Sequence, residues 1–434
     1  MSLQLIGLLG VGGLVLLMLL RVPVAIALMI VGLLGYIGID SMTSALVVMG
    51  STPLQIATEY TLSVVPLFTL MGILCASMGL SSKLYDAAAA CFGRVRGSSA
   101  LATIGASAAF GAMNGSSLAT CATIGKIAVP EMREQGYRDT LIAGSIAAGG
   151  TLGILIPPSI IMVVYALITE QSIARLFAAG MIPGVVLACL YFGAVAVTLL
   201  FDRDAAPRGR ALTLRQRLAA LTGAWEAALL FGGTIGGIYA GIFTPTEAAS
   251  VGVAMALVIG FARGNLTLRS LADALVETAV TSSVLFLIVL GATFFTYFVT
   301  QARIPPTLVE FLGGMGLSPV AVLSLMILFY LVAGCFIDGI GMALATVPVF
   351  YPVIVGLGYD PIWFGILLVV LIEFGAITPP VGMNLFVIKS VAPDLKFSAL
   401  YGGILPFLGA LIIMILLLIA FPGLALWLPQ VFYG

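Results

Sequence analysis

Oxygen-bearing residues gather at two points of an otherwise apolar chain, Asn114-Gly115-Ser116-Ser117 and Asp338-Gly339. Each is followed by an interrupted apolar segment. One reads Gly153-Ile-Leu-Ile-Pro157-Pro158-Ser159, the other Gly375-Ala-Ile-Thr378-Pro379-Pro380-Val381. A proline pair removes two backbone donors and clashes with the preceding turn, so neither helix runs through. In hydrocarbon the freed carbonyls need a partner, and they find one only beside protein, an ion or a cavity. Those carbonyls, with Asn114, Ser117, Thr378 and other neutral oxygens near the single carboxylate of Asp338, suit a hard monovalent cation such as Na⁺. Half-helix N-termini that follow the tips and breaks would face an anionic substrate, with Ser116, Ser159 and Asn384 as candidate contacts.

The elements that position these groups are apolar helices. The chain has 434 residues, 61% hydrophobic and 8% charged, with mean hydropathy +1.22 and zero formal net charge. Many stretches approach the roughly 20 residues needed to cross a bilayer, and nothing suggests a nucleic-acid partner. The five cysteines are scattered without CxxC pairing and read as small packing residues. Residues 3–20 lack a basic n-region before them and read as a retained span.

Charge fixes an orientation. Residues 3–20 run inward, 22–39 outward and 61–79 inward; the small, Gly/Ser-rich stretch 97–132 reads as a re-entrant hairpin entered from the cytoplasm. A broken helix over 140–169 leads out, 178–200 leads in, and loop 201–217 carries Arg203, Arg208, Arg210, Arg215 and Arg217. Residues 222–240, 246–262 and 279–300 then alternate. A second hairpin over 318–357 enters from outside, after a turn near 304–317, and a broken helix over 362–388 leads back in. Of the 18 Lys and Arg residues only Arg175 and Arg303 fall outside, which places the N-terminus in the periplasm.

The two halves keep register. Asn114/Asp338 lie 224 residues apart, and Pro130/Pro352, Gly136/Gly358, Gly153/Gly375 and Pro157/Pro379 lie 222 apart. The expected fold is therefore an all-α polytopic membrane protein built from inverted repeats, 1–218 and 219–434, each with one hairpin and one broken helix. Such repeats place the site at the bilayer midplane.

Four acids sit in or beside apolar segments, Glu59, Glu247, Asp338 and Glu373, and such groups are functional candidates by default. Thr244-Pro245-Thr246-Glu247 has a structural explanation as a helix start. Lys126 is expected to snorkel to the cytoplasm. An enzyme is disfavoured, because without histidine there is neither an HExxH zinc site nor a Ser-His pair. A passive channel and a stand-alone proton- or sodium-coupled anion carrier are the remaining alternatives.

The chain resembles the large membrane subunit of tripartite ATP-independent periplasmic (TRAP) transporters. The matching runs are Asn114-Gly-Ser-Ser-Leu-Ala-Thr, Ile127-Ala-Val-Pro-Glu-Met132, Gly153 to Ser159, Glu170 to Gly180 with Pro183-Gly184, Gly241 to Ala248, and Gly375 to Phe386. The resemblance implies an elevator-type fold in a bacterial inner membrane, sodium coupling, a small membrane subunit, and a periplasmic protein that delivers an organic acid such as a C4-dicarboxylate or sialic acid. It implies a first sodium site at Asn114, Ser117, Gly153, Ile156 and Pro158. A second would use Gly339, Gly375, Thr378 and Val381, with Asp338 nearby. Asn114 stands where the family usually has serine, and still supplies an oxygen.

Overall fold

The structure is a computed structural model that describes residues 3–20, 22–209, 212–314 and 316–434, apart from the side chains of Leu19 and Gly313. Arg21 and Arg210, both used in the charge count, lie outside the described residues, as do Met1 and Ser2 before the first span and Met315 in the turn near 304–317. The described residues form helices, with a single isolated bridge pair, Arg96 and Arg208, in extended pairing.

The chain begins with apolar helices α1 (Leu3–Leu19) and α2 (Val24–Ile39), then α3 (Met42–Ala57). A short 3₁₀ turn leads into α4 (Val64–Ser77), and α5 (Leu80–Phe92) follows. The first hairpin is α6 (Ser98–Asn114) and α7 (Ser117–Glu134). The first broken helix is α8 (Asp139–Leu155) and α9 (Ile160–Thr169), after which α10 (Ile173–Phe201) returns. Helices α11 (Leu214–Gly223), α12 (Trp225–Phe231) and α13 (Gly237–Tyr239) follow, the last two joined through a π-helical turn. Next come α14 (Pro245–Ala262), α15 (Leu268–Gln301) and α16 (Ile304–Gly314). The second hairpin is α17 (Pro319–Ala333) and α18 (Gly339–Gly356), the second broken helix α19 (Pro361–Ile377) and α20 (Met383–Val391), and α21 (Phe397–Ala420) and α22 (Gly423–Tyr433) close the chain.

Three segments differ from the sequence reading. Residues 42–57, given no span in the sequence reading, are helical, and the Ser41 hydroxyl caps α3 by accepting from Ser44 N (3.2 Å). The turn near 304–317 contains α16, whose Pro305 and Pro306 fall in the first turn, where a missing N–H costs nothing. Residues 279–300 form only the latter part of α15, which starts at a Thr267 cap. The Thr244 run is the helix start expected: Glu247 Oε2 accepts from Thr244 N at 2.8 Å, and Thr244 Oγ1 from Glu247 N at 3.3 Å.

Seven helices among the described residues are long and apolar enough to cross a membrane. The apolar 18-residue window within Asp139–Thr169 is 89% buried, against 33–50% for the corresponding windows of the other six, so the first broken helix lies at the centre of the protein. Around the periphery, apolar side chains such as Leu34, Leu54, Val258 and Leu405 are exposed, as a hydrocarbon solvent requires.

Polar ties cluster at one end. Lys83 of α5 pairs with Glu226 of α12 (2.6 Å), whose other oxygen meets Arg263 (3.0 Å) at the end of α14. The segment after α10 folds back on the start of the first hairpin, with Gly97 N donating to Pro207 O (3.3 Å) and Arg96 Nε to Ala206 O (2.9 Å). Arg138 pairs with Asp202 beside it.

Candidate ion and substrate site

The first tip is a two-residue turn. Gly115 adopts φ +69°, the left-handed conformation that ends α6, and Ser116 caps α7 by accepting from Ala119 N (3.4 Å). Asn114 closes the turn with its own side chain: Oδ1 accepts from Ser116 N (3.0 Å) and Nδ2 donates to Thr120 Oγ1 (3.2 Å). A Cβ on Gly115 would come within 2.8 Å of the Pro158 carbonyl, so the tip presses directly on the first break.

At that break Ile156 turns extended, the Pro157-Pro158 bond is cis, and Ser159 caps α9 by accepting from Met162 N (3.3 Å). Pro157 and Pro158 stand four residues after Gly153 and Ile154, so those two carbonyls have no helical N–H to receive. One turn before the break, Gly153 meets the backbone of Gly111 on α6.

The second tip repeats the plan with different parts. The chain leaves α17 at Gly334, continues in turns through Ile337, and enters α18 at Asp338, whose Oδ1 accepts from Ile340 N (3.0 Å) and Gly341 N (3.2 Å). Gly334 lies against Gly375 of α19, where a Cβ would come within 2.6 Å of backbone. Thr378 ends α19 and its hydroxyl donates to Phe374 O; Pro379-Pro380 is cis, and Gly382, at φ +55°, starts α20.

These four features meet at one cavity of about 100 Å³, lined by Ser116, Ser117, Asp338, Gly339, Met383 and Asn384, with isoleucines from α8, α9, α18 and α19 completing the wall. No basic side chain lines it. Its polar character comes from hydroxyls, amide, backbone, one carboxylate and the N-termini of α7 and α18, a setting for a cation and for the negative end of a solute. Asn114 faces a neighbouring cavity of about 330 Å³, shared with Ser116, Thr69 and Ser77 of α4, and Glu277 and Thr281 of α15.

The remaining expected residues take other positions. Gly153 and Gly375 sit at the hairpin crossings, Ile156, Pro158 and Val381 within the breaks, and Ser159 is almost wholly buried beneath the first break. Asn384 is fully buried, its amide bonded to Ser117. Glu373 is also fully buried, with neither carboxyl oxygen hydrogen-bonded, and does not line the cavity. Glu59 is exposed and caps a 3₁₀ turn, and Lys126 is exposed. Sequence reasoning missed Gly111, Gly334 and Thr120. A glycine one turn before each tip was the available signal.

Paired hairpins, broken helices and a shared cavity within a bundle of apolar helices define a polytopic membrane transporter, not an enzyme. The profile of the tripartite ATP-independent periplasmic transporter DctM component matches residues 11–424, and the chain belongs to that family. It is 38% identical over 378 residues to the C4-dicarboxylate TRAP transporter large permease protein DctM of Pseudomonas aeruginosa, covering 87% of this chain and 88% of that one. Identity to the sialic acid TRAP transporter large permease protein SiaM of Vibrio cholerae is 35%, over 87% of this chain and 88% of that one. A permease protein named DctMQ for isethionate, from Oleidesulfovibrio alaskensis, is 31% identical over 95% of this chain and 64% of its own length. In fold the chain is similar to the YdaH transporter of Alcanivorax borkumensis (TM-score 0.57, 17% identity, 88% of this chain and 89% of that one).

Proposed function

We propose that this chain is the large permease of a TRAP transporter that couples sodium entry to uptake of an organic acid, a C4-dicarboxylate, sialic acid or similar carboxylate. A periplasmic binding protein delivers the solute and a small membrane subunit completes the scaffold. The carrying observation is the convergence of both tips and both breaks on one cavity that holds neutral oxygens and a carboxylate but no basic side chain. An anionic solute in such a place has no fixed cationic partner, and bound sodium supplies the missing charge. The first ion would lie among Asn114, Ser117 and the carbonyls around Gly153, Ile156 and Pro158. The second would lie among Gly339, Gly375, Thr378 and Val381, near Asp338. Solute would meet Ser116 and Ser159 at the half-helix starts, while the Asn384 amide is taken up by Ser117 and the Ala147 carbonyl.

In this reading 1–218 and 219–434 are inverted repeats, the N-terminus is periplasmic, and a body carrying both hairpins moves as an elevator against the remaining helices. Family membership and the relatives' names for C4-dicarboxylates and sialic acid support the solute class. The test is reconstitution with the small subunit and binding protein under imposed gradients. Accumulation of one of these acids should require an inward sodium gradient and be negligible for this subunit alone. Accumulation driven equally by a proton gradient without sodium would overturn the reading.

A further inference from the structure

Asn384 makes the polar contact that joins the two helix-break systems at the cavity. Its Nδ2 donates to Ser117 Oγ (2.9 Å) and to the Ala147 carbonyl of α8 (3.2 Å), while the Ser117 hydroxyl donates to Asn384 Oδ1 (3.1 Å). Ser117 and Asn384 are 267 residues apart in sequence, one in the first turn of α7 and the other in the first turn of α20. Gly150 leaves the room: a Cβ there would stand 3.2 Å from Asn384 Nδ2 and 2.9 Å from Cys121 Cβ. Cys121 Sγ in turn donates to the Asn384 carbonyl (3.6 Å).

A hydroxyl has one hydrogen and two lone pairs. With its hydrogen directed at Asn384 Oδ1 and one lone pair receiving Nδ2, Ser117 has one lone pair left and a fixed direction for it. A free hydroxyl would rotate and spend part of its time pointing hydrogen at a cation. Asn384 is in turn carried by the second break, six residues after Thr378 and two after Gly382, whose φ of +55° sets the start of α20. The counterpart position at the 222-residue offset is Met162, a buried apolar residue. At the 224-residue offset of the tips Ser117 corresponds to Gly341, which has no side chain to pair with it. The polar latch is one-sided.

We infer that Asn384 is a positioning residue: by orienting the Ser117 hydroxyl it makes filling of the first cation site depend on the state of the second helix break. This rests on the sodium reading above.

The experiment is a double-mutant cycle on the reconstituted three-component transporter, with initial uptake measured against sodium at saturating solute. Ser117→Ala and Asn384→Ala should each raise the half-saturating sodium concentration about tenfold, and the double variant should add no more than about twofold to either. Asn384→Ala should also bring the sodium Hill coefficient close to one and leave the solute KM at saturating sodium unchanged. If Asn384→Ala is not recovered as a monodisperse complex, Asn384→Ser takes its place in the cycle with the same expected outcomes. Sodium-dependent thermal stabilisation of the purified complex is read in parallel, and should weaken in the same variants. A double variant shifted by the product of the single effects, about a hundredfold, would overturn the inference. A raised solute KM with an unmoved sodium curve would also overturn it, making Asn384 a solute contact. If Ser117→Ala shifts the sodium curve and Asn384→Ala does not, the inference fails and the sodium reading stands; if neither shifts, both fail.

Discussion

The first arm of the first hairpin is sunk in protein, and the first arm of the second is not. Of the 17 residues of α6, 14 are buried, and its tip is a two-residue turn closed by the Asn114 side chain. Of the 15 residues of α17 only four are buried (Val322, Leu323, Met326 and Tyr330), and its tip is a longer run of turns through Cys335 and Phe336. The arms of the second hairpin are pinned by a hydrogen bond between Tyr330 Oη and Thr346 Oγ1 (2.7 Å). Both hairpins nevertheless cross their broken helices glycine on glycine. The chain repeats the backbone breaks that make ligand oxygens available, and varies the packing that sets how firmly they are held. Lower burial means lower local stability, so the second tip is the one that opens more readily.

The largest effect should come from the crossings. Gly153→Ala forces a Cβ toward Thr120 Oγ1 at 2.7 Å, and Gly375→Ala forces one into Gly334 backbone at 2.6 Å. Each should lower stability by about 1–3 kcal/mol and abolish uptake, read as the melting temperature of the purified complex alongside transport. Tolerance of Gly375→Ala alone would mean that the second crossing is compliant as well as exposed.

Next is the exchange of tip residues. Asp338→Asn keeps an acceptor for Ile340 N and Gly341 N and removes only the charge. We expect an intact fold and a rise in half-saturating sodium of about tenfold or more, whereas Asn114→Ala should loosen the first tip as well as raise half-saturating sodium. A charge effect at both tips, seen as tighter sodium in Asn114→Asp, would erase the distinction between them. Thr378→Val should weaken sodium affinity by roughly tenfold to a hundredfold, on the order of 1–3 kcal/mol for one lost neutral ligand. Thr244→Val, in a capping box remote from the cavity, should alter stability and leave the sodium curve in place.

Hydrogen exchange should then rank the hairpins. Amides of α17 and its tip should exchange faster than those of α6, and sodium should slow the second tip more than the first. Equal protection would refute the stability difference.

The smallest effect concerns an ion pair between the hairpin and the loop after α20, Arg133 to Asp394 (2.6 Å). The Arg133 guanidinium beside Asp394 holds its carboxyl below the usual carboxylate range. A depressed folded-state value stabilises above the ordinary carboxylate pKa and is lost as pH falls through the folded one. Asp394→Asn should therefore cost a small, salt-sensitive amount at neutral pH, a cost that disappears as pH falls through the depressed folded-state value.

Much of this was legible before the structure. Pro157-Pro158 and Pro379-Pro380 declare the breaks because no helix interior accommodates two missing donors, and the apolar runs declare the spans. Helix α3 goes unassigned, since Gly50-Ser51-Thr52-Pro53 interrupts its apolar run, although the Ser41 cap and flanking helices hold it. Helix α16 was hidden because prolines that punctuate most sequences sit harmlessly in a first turn. Chain position located Asn114, Ser117 and Asp338 at the hairpin tips and Thr378 at the second break. It could not reveal the Ser117–Asn384 bond or the glycine crossings, since these depend on how distant helices lie across one another. Nor could it show that Glu373 is left without a hydrogen-bond partner.

Glycine crossings also bear on how the molecule can deform. Packed helices shift past one another when side chains switch rotamers, each switch absorbing a small displacement. At Gly111–Gly153 and Gly334–Gly375 there are no rotamers to switch. At those points each hairpin is locked to its broken helix like a spoke to a hub, so any large rigid displacement has its shear plane elsewhere, at surfaces lined with leucine, phenylalanine and methionine.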